Sequence, residues 1–134
     1  FTRRCEVKPG GGTRNYERWQ KIALESAKQC GRARTMRIER PVGFDEFIAE
    51  AARAASDNAL IFFSERDGIG FDSIEVSEKV TAVFGPKGGW DDAELALAAE
   101  AGSQIITFGG RIMRAETAAI AMTAILQHRF GDLK

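Results

Sequence analysis

A chain of 134 residues that is 44% hydrophobic and 28% charged has the ordinary composition of a globular protein and is long enough for one domain with its own core. No apolar run approaches the roughly 18 residues that span a membrane, and the N-terminal FTRRCEVK lacks the apolar stretch of a signal peptide, so the expectation is a cytoplasmic protein with no membrane partner. Cys5 and Cys30 are far apart and lack metal-ligand spacing, which argues against a disulfide framework and a zinc site and leaves two free thiols. Because the sequence starts at Phe1 and not at methionine, it reads as part of a longer protein.

The formal net charge of zero hides an asymmetry. Residues 1–40 carry 11 Lys and Arg against 4 acids, while the remainder carries 8 bases and 15 acids. A basic third of that density is what contact with a phosphate backbone requires, since each cation that neutralises a phosphate releases counterions. The alternative is a solvated basic helix face.

In chain order, PGGGT at 9–13 is a break, after which Tyr16, Trp19, Ile22, Ala23, Ala27 and Cys30 recur at helical spacing and predict an amphipathic helix stopped by Gly31. Trp19 is expected in its core face. Residues 35–40 read as a short strand ending at Pro41. Phe44, Phe47, Ile48, Ala51, Ala52 and Ala55 mark a second helix, and ALIFF at 59–63 suits a central strand of a parallel sheet. ERDGIGFDS at 65–73 reads as a mobile insert. Two strand, glycine-turn and helix units follow: Val80–Phe84 into GPKGG and a helix capped by Asp91 with Glu94 as capping box, then Ile105–Phe108 into FGGRIMRAET and a long helix from Glu116 to about Phe130. This repetition predicts an α/β domain with both glycine turns at the carboxyl ends of neighbouring strands, the edge where open α/β sheets bind ligands.

Neither turn is a conventional nucleotide site. A phosphate loop needs its lysine after the last glycine and then Ser or Thr, whereas Lys87 precedes Gly88; the GxGxxG dinucleotide fingerprint is absent too. Glycines do allow a flat or small ligand to approach backbone amides and carbonyls closely, and Arg111 and Arg114 beside an open strand edge suit contact with a phosphate or base. His128, the single histidine, fits a helix C-terminus and gives no seat for Ser/His/Asp or Cys/His catalysis. Trp90 could cover a pocket, and Asp91, Asp92 and Glu94 suit a helix N-terminus better than a metal site.

At these loops the chain resembles the RsmE-type methyltransferases of the SPOUT superfamily, which modify N3 of a uridine in small-subunit ribosomal RNA. GPKGG at 85–89 and FGGRIMRAETA at 108–118 match the family's GPEGG and LGxRILRxETA. Arg18, Trp19, Ile22, Ala27, Gln29, Gly31 and Arg32 match a further pattern, TRRC at 2–5 an ERS/ERC turn, and RFGDL at 129–133 the family's ending. The resemblance runs end to end and implies a SPOUT-type α/β fold, a parallel sheet flanked by helices with a C-terminal trefoil knot. It implies S-adenosyl-L-methionine held in that knot, 16S ribosomal RNA in the small subunit as substrate, and a homodimer. It further implies that residues 1–134 are a partial methyltransferase domain, without the RNA-binding β-barrel or the first strand and helix of the domain.

Carried over residue by residue, Phe84, Gly85, Gly88, Gly89, Phe108, Gly109, Ile112 and Met113 would form the cofactor site, and Arg4, Lys87, Arg111 and Arg114 would contact RNA. Arg114 would hold the uridine or its phosphate, and Glu116 would serve as base or as a structural residue of the knot. Lys87 and Arg3 each stand where the family has glutamate; Lys87 is expected to point outward, since an inward lysine would repel a sulfonium. The other readings are a SPOUT enzyme acting on a ribose 2′-hydroxyl or on tRNA, and a module that binds RNA or cofactor without catalysis.

Overall fold

The computed structural model describes residues 1–6, 12–53, 57–76, 79–108, 110 and 112–133. The chain divides into two compact units, Phe1 with Val7–Gly43 and Thr2–Glu6 with Phe44–Lys134.

The first unit contains helix α1, Gly12–Gln29, which ends two residues before Gly31 as expected. Ala23 and Ala27, one turn apart, are buried, but Trp19 is 42% and Ile22 51% exposed, so the helical period is right and the assignment of Trp19 to a core face is not. Residues 35–40 form no strand. Instead the Tyr16 hydroxyl donates to the Ile38 carbonyl at 3.0 Å, and the Arg40 guanidinium lies 5.9 Å from the Tyr16 ring centroid. These side-chain contacts take the place of a sheet partner.

The second unit is a four-stranded parallel sheet flanked by helices. Its elements are α2 (Phe44–Arg53), β1 (Asn58–Ser64), β2 (Ile69–Gly70), a 3₁₀ turn at Phe71–Ser73, β3 (Lys79–Phe84), α3 (Asp92–Glu100), β4 (Gln104–Thr107) and α4 (Ala115–Phe130). Ala55, assigned to the second helix from sequence, lies outside the described residues. The strand order is β2-β4-β1-β3. Every pairing is parallel, with Phe62 opposite Val83 on one side and Ile105 on the other. The apolar run of β1 is central, as its lack of polar alternation predicts.

Two expectations change here. The segment 65–73 is not a plain loop, because Ile69–Gly70 forms an edge strand on β4. The glycine turns do not follow neighbouring strands either: β3 and β4 stand on opposite sides of β1, so the carboxyl end of β1 lies between them.

Alternation along β1 sorts the core into two layers. Leu60 and Phe62 pack with Phe44 and Ile48 of α2 and with Trp90, Leu95 and Ala98, while Ile61 and Phe63 pack with Ile74, Ile106 and with Met122 and Leu126 of α4. The α3 N-terminus is built as read from sequence: Asp91 accepts from the Ala93 amide at 3.1 Å and Glu94 accepts from the Asp91 amide at 3.1 Å, completing the capping box.

Candidate cofactor cleft

A cleft of about 900 Å³ opens in the second unit at the carboxyl ends of β1, β3 and β4. Its walls are the two glycine loops. Phe84, Gly85, Pro86, Lys87, Gly88 and Gly89 line one side, and Phe108, Ile112, Met113 and Arg114 the other, continued by Ala115, Glu116, Ala118 and Met122 of α4. All the expected cofactor residues that the structure describes face this one space; Gly109 and Arg111 lie outside the described residues.

The loop Gly85–Gly89 is shaped by what packs behind it. Trp90 is 1% exposed and donates its indole N–H to the Phe63 carbonyl at 2.9 Å, packing at tilted angles on Phe44 and Phe62. It is core and does not line the cleft, since the indole must bury its ring and still find an acceptor. A β-carbon on Gly85 would come within 3.0 Å of that indole nitrogen, so the backbone passes directly over the ring. Gly89 has φ of +72°, and a β-carbon there would lie 2.6 Å from Oε1 of Glu65.

Sequence reasoning missed the floor of the cleft, formed by Phe63, Ser64 and Glu65 at the end of β1, and missed Glu6 at its rim. The signal available was the central position of ALIFF, whose carboxyl end had to open at the same edge as the glycine turns. Phe63 stacks on Phe84 with centroids 5.2 Å apart and an angle of 8°, giving the cleft a flat apolar base. Ser64 is buried, and its Oγ accepts from the Arg66 amide at 3.2 Å.

Among the described residues, five ionisable residues line the cleft: Glu6, Glu65, Glu116, Lys87 and Arg114. Lys87 is 82% exposed and its Nζ lies 3.5 Å from Oε1 of Glu6. The Glu65 side chain is 33% exposed, with Arg66 Nε 3.9 Å away. Arg114 sits at the N-cap of α4 without a side-chain capping bond, and Glu116 occupies the first turn of that helix; both are exposed. Arg66 is turned to other partners. It donates to Asp92, to the Trp90 carbonyl at 3.1 Å and to Asp67 at 3.2 Å. The hydrogen bond and charge of Asp92 raise the Arg66 pKa above its ordinary value, and the same contact lowers that of Asp92. Arg4 does not line the cleft; its Nη1 donates to the Gly88 carbonyl at 3.1 Å.

Backbone-rich walls, an aromatic floor and the carboxylates of Glu65 and Glu116 suit a ligand with a flat ring and a polar, partly cationic tail. The fold and cleft thus define an α/β protein with its binding site at the carboxyl edge of a parallel sheet. Residues 1–127 match the model of the RNA methyltransferase domain, and the chain belongs to that family. It is 35% identical over 107 residues to the ribosomal RNA small subunit methyltransferase E of Mesomycoplasma hyopneumoniae, covering 80% of this chain and 46% of that protein. A crystal structure of a ribosomal RNA small subunit methyltransferase E from Neisseria gonorrhoeae bound to S-adenosyl methionine superposes with a TM-score of 0.89 at 30% identity, covering 100% of this chain and 54% of that one. A putative methyltransferase from Legionella pneumophila with bound cofactor SAM gives 0.85 at 28% identity, covering 96% of this chain and 53% of that one. The chain therefore spans about half the length of the relatives it matches.

Proposed function

We propose that this chain is the catalytic part of an S-adenosylmethionine-dependent enzyme that methylates N3 of a uridine in 16S ribosomal RNA of the small subunit. The observation that carries the reading is the convergence of GPKGG and of the described residues of FGGRIMRAET on one cleft above the end of β1. Its residues fit the cofactor: Phe63, Phe84, Ile112 and Met113 offer apolar surface to an adenine or methionine chain, and Glu65 and Glu116 offer carboxylates to a cation.

When bound, the cofactor supplies an electrophilic methyl on sulfur; the N3–carbon bond forms as the sulfur–carbon bond breaks, and the N3 proton must leave. The chain's own part is alignment and proton removal. Backbone of Gly85–Gly89 and the side chains of Phe108, Ile112 and Met113 fix the donor, and the motif assigns Gly109 to the same cofactor contact. Arg114, which lines the cleft and whose side chain makes no hydrogen bond or ion pair among the described residues, holds the uridine or its phosphate. Glu116, two residues further on in the first turn of α4 and with no side-chain hydrogen bond or ion pair among the described residues, takes the proton. Lys87 faces outward toward RNA phosphate, and Arg111 adds to that contact.

The reading includes a trefoil knot at the C-terminal loops, a homodimer and a longer protein of which residues 1–134 are the partial methyltransferase domain. Ile120 of α4, 74% exposed on the helix that lines the cleft, suits the dimer contact. The test is methyl transfer to small ribosomal subunits lacking the modification, followed by identification of the methylated atom. N3-methyluridine is expected. Methylation of a ribose 2′-hydroxyl or of tRNA, or cofactor binding without transfer in the full-length protein, would overturn it.

A further inference from the structure

We infer that Arg4 is a positioning residue for the Gly85–Gly89 loop, and that Thr2–Glu6 is the strap that holds this wall of the cleft in its binding shape. The inference rests on the cofactor assignment above for its consequence, and on geometry alone for its existence. Residues 3, 4 and 6 each reach the same stretch. The Arg3 amide donates to Oε1 of Glu94 at 2.7 Å, and Arg3 Nη1 donates to Oδ1 of Asp91 at 3.1 Å. Arg4 Nη1 donates to the Gly88 carbonyl at 3.1 Å while its Nη2 stands 3.9 Å from Oδ2 of Asp91. Glu6 meets Lys87.

The chemistry explains the residue type. One planar guanidinium can serve a carbonyl and a carboxylate together, so Arg4 ties the middle of the loop to the residue that caps α3; a lysine ammonium is a single point and would serve one of them well. The loop needs such a tether. It carries three glycines in five positions, and glycine leaves the backbone with the most freedom to lose on binding. The Arg4 side chain also packs on the loop, since a β-carbon on Gly88 would lie 3.2 Å from Arg4 Cβ. Arg4 does not line the cleft, so its guanidinium acts from behind the wall and not on the ligand.

The alternative is that Arg4 contacts RNA. The two separate in Arg4→Ala and Arg4→Lys variants, using three readouts: amide hydrogen exchange at Gly88–Asp91 without cofactor, the Kd for S-adenosylmethionine, and RNA affinity at saturating cofactor. Arg4→Ala should speed loop exchange and raise the cofactor Kd, each by about tenfold, as expected for losing one charge-assisted hydrogen bond, with RNA affinity unchanged. Arg4→Lys should fall between, and carries the comparison if the alanine variant does not fold. Unchanged loop exchange in either folded variant, or an unchanged cofactor Kd with weakened RNA binding, would overturn the inference. Loop exchange is read without cofactor, so a wild-type protein that fails to bind S-adenosylmethionine counts against the proposed function and leaves the strap to be judged by exchange.

Discussion

Arg66 and Arg114 show how neighbouring chemistry decides what a guanidinium does. Arg66 is saturated by Asp92, Asp67 and the Trp90 carbonyl, which makes it a fastener between the end of β1 and the start of α3. The Arg114 side chain, in the cleft lining, is left unengaged among the described residues, which makes it available to a substrate. Sequence could place Arg114 by its motif but could not find the role of Arg66, since its partners are 24 and 26 residues away. The pair has a pH signature. The Asp92 carboxyl is held below its ordinary value of 3.8, so its contribution to stability is complete above that value and lost as pH falls through the lowered folded pKa. Between the two values the unfolded chain binds more protons, so stability rises with pH. Urea unfolding followed from pH 5 downward should show a shallower loss in Asp92→Asn than in wild type, and equal slopes would remove Arg66–Asp92 as the cause.

Where an element carries its own local code, the sequence was readable. The capping box at Asp91 and Glu94, the apolar run of β1 and the long helix from Glu116 to about Phe130 all hold at the expected places. The edge strand Ile69–Gly70 has no such code, because two residues offer no alternation and only pairing with β4 makes them a strand. Trp19 and Trp90 make the same point about burial. Both look alike in sequence, yet Trp19 is substantially exposed on α1 while Trp90 is enclosed by α2, β1 and α3 residues. Trp90 supports the glycine loop as well as the core, so Trp90→Ala should cost about 3–5 kcal/mol by denaturant unfolding, with Trp19→Ala costing far less. Equal losses would contradict the packing described.

Across the second unit, the sheet order is what creates the cleft, and it was the least legible feature. Consecutive strand, turn and helix units suggested adjacent strands, but β1 buries both faces best and takes the centre, leaving β3 and β4 to flank it. That long-range choice puts Phe63 and Glu65 on the floor and separates the two glycine loops by one strand, leaving room for a ligand between them. The family motifs pointed to both walls; the floor, and the strap behind one wall, needed the fold. The most direct test of the cleft as a cofactor site is amide hydrogen exchange of the protein with and without S-adenosylmethionine. Protection should concentrate in residues 84–89 and 112–118 and at the end of β1. Protection confined to other segments, with these three unchanged, would contradict it.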